Sequence, residues 1–350
     1  MSEAPAPMPG ASASERARER AMAIPVEPPP SLRQIATLQQ EVRMLASERD
    51  ALILAHNYER PEIQDVADRT GDSFALSREA AASEHQVIVF CGVHFMAETA
   101  AILAQDRTVL IPDIDAGCSL AETITAQQLR AWKAAHPGAI VVMYVNTTAA
   151  VKAEADYCCT SSNAAAVVEH IFEEHGPDVE VLFGPDRWLG TFVRRRTGRG
   201  LQLWDGECHV HGAIGFSELA QLREAHPQAE LMIHPECRCI PDVTQLLAEG
   251  GPLAARHHVL STGGMLEHAR RSDAPQLIVA TEIGMLHPLR KHSPGKQLIP
   301  ARQDALCQHM KLITLPKLRD ALRDLRPQVQ VPTEIAARAR RPLERMLAIS

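Results

Sequence analysis

The sequence predicts an α/β protein made of three related units, each a small parallel sheet covered by helices. Three observations lead there. From about residue 50 onward, short apolar runs alternate with amphipathic stretches, the pattern of strands joined by crossover helices. The apolar runs fall into three sets that recur at intervals of about 90 residues. Each run of the third set is followed closely by a cysteine.

Taken in order, residues 1–30 are rich in Ala, Pro, Ser and Glu and close on Pro28-Pro29-Pro30, so they are expected to form a disordered tail. Residues 31–50 place Leu32, Ile35, Leu38, Val42 and Leu45 three or four apart, a helical stripe. The first set of strands is Leu52-Ile53-Leu54-Ala55-His56, Val141-Val142-Met143-Tyr144 and Leu231-Met232-Ile233-His234. The second covers residues 87–90, 179–183 and 277–280. The third is Val109-Leu110-Ile111-Pro112, Leu201-Gln202-Leu203-Trp204 and Gln297-Leu298-Ile299-Pro300. Before each second-set strand a small polar loop opens a helix: Gly71-Asp72-Ser73, Thr160-Ser161-Ser162-Asn163 and Ser261-Thr262-Gly263-Gly264. The repeat divides the chain into αβα units at 31–135, 136–227 and 228–350, the first with an N-terminal helix and the last with extra C-terminal helices. These Rossmann-like units are expected around a pseudo-threefold axis.

Composition narrows the function. A formal net charge of -7 argues against sequence-independent nucleic-acid binding, which needs a basic surface. Aromatics at 4% leave little for a base-stacking platform. No apolar run reaches the roughly 20 residues that span a bilayer, and the first thirty residues lack the apolar centre of a secretory signal. The expected location is the cytoplasm, where disulfides do not persist. The eight cysteines are then buried small hydrophobes or ligands of a soft metal.

Cys118, Cys208 and Cys307 each follow a third-set strand. Parallel α/β units present ligands beyond the carboxyl ends of their strands, so three equivalent loops can converge although they are far apart in sequence. Three thiolates suit an iron–sulfur cubane with one iron left open, a Lewis acid. The other cysteines are weaker candidates: Cys158 and Cys159 are adjacent, Cys91 ends an apolar strand, and Cys237 and Cys239 form a Cys-x-Cys pair of redox or zinc type. No Cys-x-x-Cys occurs.

The first-set strands end in His56-Asn57-Tyr58, Tyr144-Val145-Asn146 and His234-Pro235-Glu236, polar residues placed to face a shared crevice. A structural histidine is the plain alternative for His56 or His234 taken singly. Helix N-termini offer free N–H groups that hold phosphates and carboxylates, so the three polar loops suggest a substrate with several anionic groups. The plain alternative is that Ser73, Ser161 and Thr262 are N-caps.

Longer motifs run through the chain: His56-Asn57-Tyr58, Pro61-Glu62-Ile63-Gln64-Asp65-Val66-Ala67-Asp68, Gly71-Asp72-Ser73 and Phe90-Cys91-Gly92-Val93-His94-Phe95-Met96-Ala97-Glu98-Thr99. They continue with Gly117-Cys118-Ser119-Leu120-Ala121, Tyr144-Val145-Asn146-Thr147, Cys158-Cys159-Thr160-Ser161-Ser162-Asn163 and His234-Pro235-Glu236-Cys237. Ser261-Thr262-Gly263-Gly264-Met265, Thr281-Glu282-Ile283-Gly284 and Met310-Lys311-Leu312-Ile313-Thr314-Leu315 complete the set. From about residue 52 to the C-terminus, these motifs resemble the quinolinate synthase family.

The resemblance implies a 4Fe–4S cluster held by Cys118, Cys208 and Cys307, and condensation of iminoaspartate with dihydroxyacetone phosphate to quinolinate, releasing phosphate and water. It implies that His56, Tyr58, Tyr144, Asn146 and His234 line the substrate cavity, with Glu236 the acid/base and Tyr58, His234 and Tyr144 beside it. Ser73, Ser161, Ser261 and Thr262 would hold phosphate or carboxylate. A transient contact with the oxidase or dehydrogenase that supplies iminoaspartate would follow. The chain departs from the family pattern at Gly212, where an acidic residue is expected, and at Cys239. Two other readings compete: a reductive 4Fe–4S dehydratase acting on a diphosphate, and a non-catalytic iron–sulfur or zinc redox sensor.

Overall fold

The computed structural model describes residues 12–349. The strands are β1 (Ala51–His56), β2 (Arg69–Gly71), β3 (Val87–Cys91), β4 (Thr108–Leu110), β5 (Ile140–Tyr144), β6 (Tyr157–Cys159), β7 (Val181–Gly184), β8 (Gln202–Leu203), β9 (Glu230–Ile233), β10 (His257–Val259), β11 (Gln276–Ala280) and β12 (Gln297–Pro300). They form three four-stranded sheets with the same order, β2-β1-β3-β4, β6-β5-β7-β8 and β10-β9-β11-β12. Every pairing within them is parallel. The central strands are unbroken apolar runs because helices cover both faces, so alternation is absent; all six residues of β1 are buried. In every sheet the first strand of the unit is central and the second lies outside it, the crossing point where α/β folds bind ligands.

Two features at the chain's ends differ from expectation. The first eleven residues of the expected tail lie outside the described residues. The rest is ordered: a helix spans Ala13–Met22, opened by a capping box in which Ser12 Oγ accepts from Glu15 N at 3.1 Å and Glu15 accepts from Ser12 N at 2.6 Å. Low hydrophobicity suggested disorder, but Ala17 and Ala21 stack on one helix face and are buried. Small side chains let that helix dock closely without a large apolar surface.

The helix Thr333–Ala348, expected as part of the third unit, packs instead on β6 and the helix Ala149–Lys152 of the second, and on the helix His94–Leu103 of the first. Its buried face is Ala336, Ala339, Leu343 and Met346. Asn163 Nδ2 holds its end, donating to Met346 O at 3.0 Å and Ile349 O at 2.8 Å. The helix Leu32–Glu48 packs in turn against Leu315–Asp324. Among the described residues, no helix is long and apolar enough to cross a membrane.

Candidate active site

The three cysteines occupy equivalent loops. The carbonyls of Cys118, Cys208 and Cys307 accept from the N–H of Glu122, Gly212 and Lys311 at 3.2, 2.8 and 3.2 Å. Each loop then makes one 3₁₀ turn, at Ala121–Thr123, His211–Ala213 and Met310–Leu312. The residues just after the cysteines join into a chain: Ser119 Oγ lies 2.6 Å from His209 Nδ1, and His209 Nε2 lies 2.9 Å from Gln308 Oε1. All three thiols line one cavity, together with the strand ends and helix starts of the three units. Burial pushes the thiols of Cys118 and Cys307 up to about 12 and that of Cys208 well above its ordinary value. Thiols this costly to ionise become thiolates only beside a cation.

Along the cavity, the strand ends supply the polar wall. His56 Nδ1 accepts from Tyr58 N at 3.2 Å, and His234 Nδ1 accepts from Glu236 N at 3.5 Å, the same contact in two units. Burial keeps both rings neutral, lowering His56 to about 4 and His234 to about 3. Glu236 is buried, and its Oε1 accepts from Tyr144 Oη at 2.6 Å while Oε2 lies 3.2 Å from His211 Nδ1. Burial acts to raise the Glu236 carboxyl, yet His211, His234 and the Tyr144 hydroxyl outweigh it and hold the group at about 2. Both phenols are raised above their ordinary value, first by burial and then by the Glu236 charge. Tyr58 Oη reaches Thr281 Oγ1 at 2.5 Å and His211 Nε2 at 3.3 Å, so Tyr58, His211, Glu236 and Tyr144 form one hydrogen-bonded array. Glu236 does not cap the helix Ile240–Glu249, whose N-cap Cys239 makes no side-chain bond.

The helix starts complete the wall. Ser73, Asn146, Ser161 and Thr262 line the cavity, and Asn57 Nδ2 donates to Thr262 Oγ1 at 3.0 Å. The first helix is capped by Asp72 rather than Ser73, leaving the Ser73 side chain uninvolved in the cap. Ser261 stands apart. It does not line the cavity; its Oγ accepts from Gly264 N at 3.2 Å as the N-cap and lies 3.2 Å from Asp72 Oδ2 in an adjoining outer depression.

Other residues of the site were not read from the sequence. His211 sits three places after Cys208, where Ala121 and Met310 stand in the other loops; following the repeat past the cysteine exposes that substitution. Glu282 stands two residues past the end of β11, a strand of the second set. Its Oε1 pairs with Lys311 Nζ at 2.9 Å and accepts from Cys307 N at 3.1 Å. Lys311 Nζ also donates to Tyr58 O, joining the third cysteine loop to the first strand end. Gly284 permits this junction, since a Cβ there would fall 2.6 Å from Tyr58 O. At Gly212 the space an acidic neighbour would need is taken by Glu207, whose Cδ lies 3.0 Å from where a Cβ would stand. Cys91, Cys158 and Cys159 are buried in the main core, and Cys237 and Cys239 in a second core. A separate grouping, Glu230, His258 and His268, lies at the third sheet, with Glu230 Oε2 already bonded to His268 Nε2 and Ser272 Oγ at 2.7 Å each.

Three parallel αβα units each bring one thiol to a single cavity that His56, His234 and Glu236 also wall, the arrangement of an enzyme site assembled from all three units. The family model described as "Quinolinate synthetase A protein" matches residues 40–348. The chain is 57% identical over 310 residues to the quinolinate synthase of Mycobacterium sp. (strain KMS), covering 88% of this chain and 91% of that protein. It is 56% identical to that of Mycobacterium tuberculosis (strain ATCC 25618 / H37Rv), covering 88% of each. The chain belongs to the quinolinate synthase family.

Proposed function

We propose that this enzyme condenses iminoaspartate with dihydroxyacetone phosphate to quinolinate, releasing phosphate and water, with a 4Fe–4S cluster on Cys118, Cys208 and Cys307. The observation that carries this reading is the opening of three equivalent thiols into one cavity. The donor set fits the group: soft sulfur ligands, one per unit, with the His211 ring 3.3 Å from Cys208 Sγ. When bound, such a cluster supplies a Lewis-acidic iron at the cavity wall.

The remaining work falls to the chain's own side chains. Glu236 is ionised in the resting site and takes up a proton as base; Tyr144 and His211 fix its two oxygens and can hand protons along the array to Tyr58. His56 and His234 stay neutral, each with its Nδ1 turned to the backbone, and orient the substrate within the cavity. Ser73, Asn146, Ser161 and Thr262 offer hydroxyl, amide and helix-start N–H groups to phosphate and carboxylate, with Ser261 shaping the third helix start. A diphosphate substrate is a poorer match, because among the described residues none that lines the cavity is Lys or Arg.

The test is anaerobic reconstitution with iron and sulfide, followed by incubation with both substrates. Broad visible absorption and formation of quinolinate without a stoichiometric reductant are expected. A requirement for reductant at each turnover would overturn the reading in favour of a reductive dehydratase.

A further inference from the structure

The N-terminal segment from residue 12 onward meets two of the cysteine loops directly and reaches the third through Arg60. Arg20 places Nε and Nη2 at 3.0 and 2.5 Å from Oε2 of Glu122, in the 3₁₀ turn after Cys118. Ser14 Oγ accepts from the N–H of Glu207, the residue before Cys208, at 3.2 Å. The carbonyl of Glu27 accepts from Arg60 Nη2 at 2.9 Å, and the same nitrogen donates to Lys311 O, four residues after Cys307, at 2.7 Å. Arg60 is itself buried, and its Nε gives Lys311 O a second bond at 2.9 Å. The buried alanines Ala17 and Ala21 hold the helix Ala13–Met22 down between these anchors. None of Ser14, Arg20, Glu27, Glu122 or Glu207 lines the cavity, so these contacts reach the loops from outside it. The segment also precedes residue 40, where the family match begins.

From this we infer that residues 12–27 are a clasp: a positioning element that ties the three cysteine loops to one another and slows loss of the cluster they hold. One short segment bonded directly to two loops, and to the third through Arg60, resists their separation, and opening of any loop must break a contact to it or to Arg60. The reading of the cysteines as cluster ligands underlies the second half of the inference; the first half stands on the contacts alone.

The experiment separates the two. Amide hydrogen exchange is followed in the metal-free full chain, in a chain starting at residue 31, and in full-length Arg20→Ala. Exchange within 118–123, 208–213 and 307–312 should rise on the order of tenfold on truncation. Arg20→Ala should raise it about two- to threefold, at 118–123 alone, since that ion pair is partly exposed. Should the shortened chain misfold, a full-length Ser14→Ala/Arg20→Ala variant takes its place, with the rise expected in the first two loops. Unchanged exchange at the loops overturns the clasp. In reconstituted protein, the visible absorption should decay faster under air or chelator in the same order of variants. Equal decay despite faster exchange overturns the shielding role. A wild-type chain that forms no visible chromophore rejects the cluster reading and leaves the exchange result to judge the clasp.

Discussion

The cysteine loops and the strand-end wall are built by the same threefold repeat, yet they use it in opposite ways. The loops keep one chemistry at three places: a thiol, the same backbone bond behind it, one 3₁₀ turn after it. The strand ends keep the backbone position and change the chemistry, with His56, Tyr144 and His234 at one level and Tyr58, Asn146 and Glu236 two residues on. Repetition suits a ligand with near-equivalent faces. Divergence suits a substrate whose ends differ. Where function demands asymmetry among the loops, it enters beside the cysteine, as with His211 opposite Ala121 and Met310.

This comparison is broken most severely at the thiols. Cys118→Ala, Cys208→Ala and Cys307→Ala should each abolish the visible iron–sulfur absorption, and to the same degree, whereas Cys91→Ala and Cys159→Ala retain it. Full iron and sulfide in Cys118→Ala would remove the equivalence. On the strand-end side, variants should differ sharply from one another. Glu236→Gln keeps size and hydrogen bonding but cannot take a proton, so quinolinate formation should fall about a hundredfold with the chromophore intact. Near wild-type turnover by that variant would move the base to Tyr58 or His234.

A third outcome sharpens the comparison through pH. The folded pKa of His56 is lowered by burial from 6.5 to about 4, so as pH falls the unfolded chain binds this proton first. Stability from the neutral ring is full above about 6.5 and is lost as pH falls toward about 4, up to roughly 3 kcal/mol. His56→Gln should therefore flatten the decline of the melting temperature across that window in metal-free protein; an unchanged slope would show that the ring is not buried neutral. The smallest effect belongs to the loop chain. Ser119→Ala removes the hydroxyl that meets both the ring and the backbone N–H of His209 and should lower stability by about 1 kcal/mol, read by denaturant midpoint, with turnover nearly unchanged.

Much of this was legible because the repeat is periodic. Strand sets, polar helix starts and the three cysteines could be aligned by position alone, and all but Ser261 of the candidate residues line the cavity. Ser261 is the N-cap of its helix, a role that shares its residue types with a ligand-facing hydroxyl and so is not told apart in the sequence. His211 and Lys311 escaped because their roles depend on contacts between units, Lys311 with Tyr58 and His211 with Glu236 and Tyr58, and Glu282 escaped because its partners Cys307 and Lys311 lie far along the chain. The N-terminal helix escaped for a different reason. Its buried face is two alanines, and a pattern that weighs apolar bulk does not register them.

The placement of the helix Thr333–Ala348 on the second unit has a consequence in time. During synthesis the second sheet leaves the ribosome long before the helix that covers β6, and Asn163 must wait for the carbonyls of Met346 and Ile349. The helix Leu32–Glu48 likewise waits for Leu315–Asp324. The nascent chain therefore leaves β6 uncovered until residues 333–349 have been made.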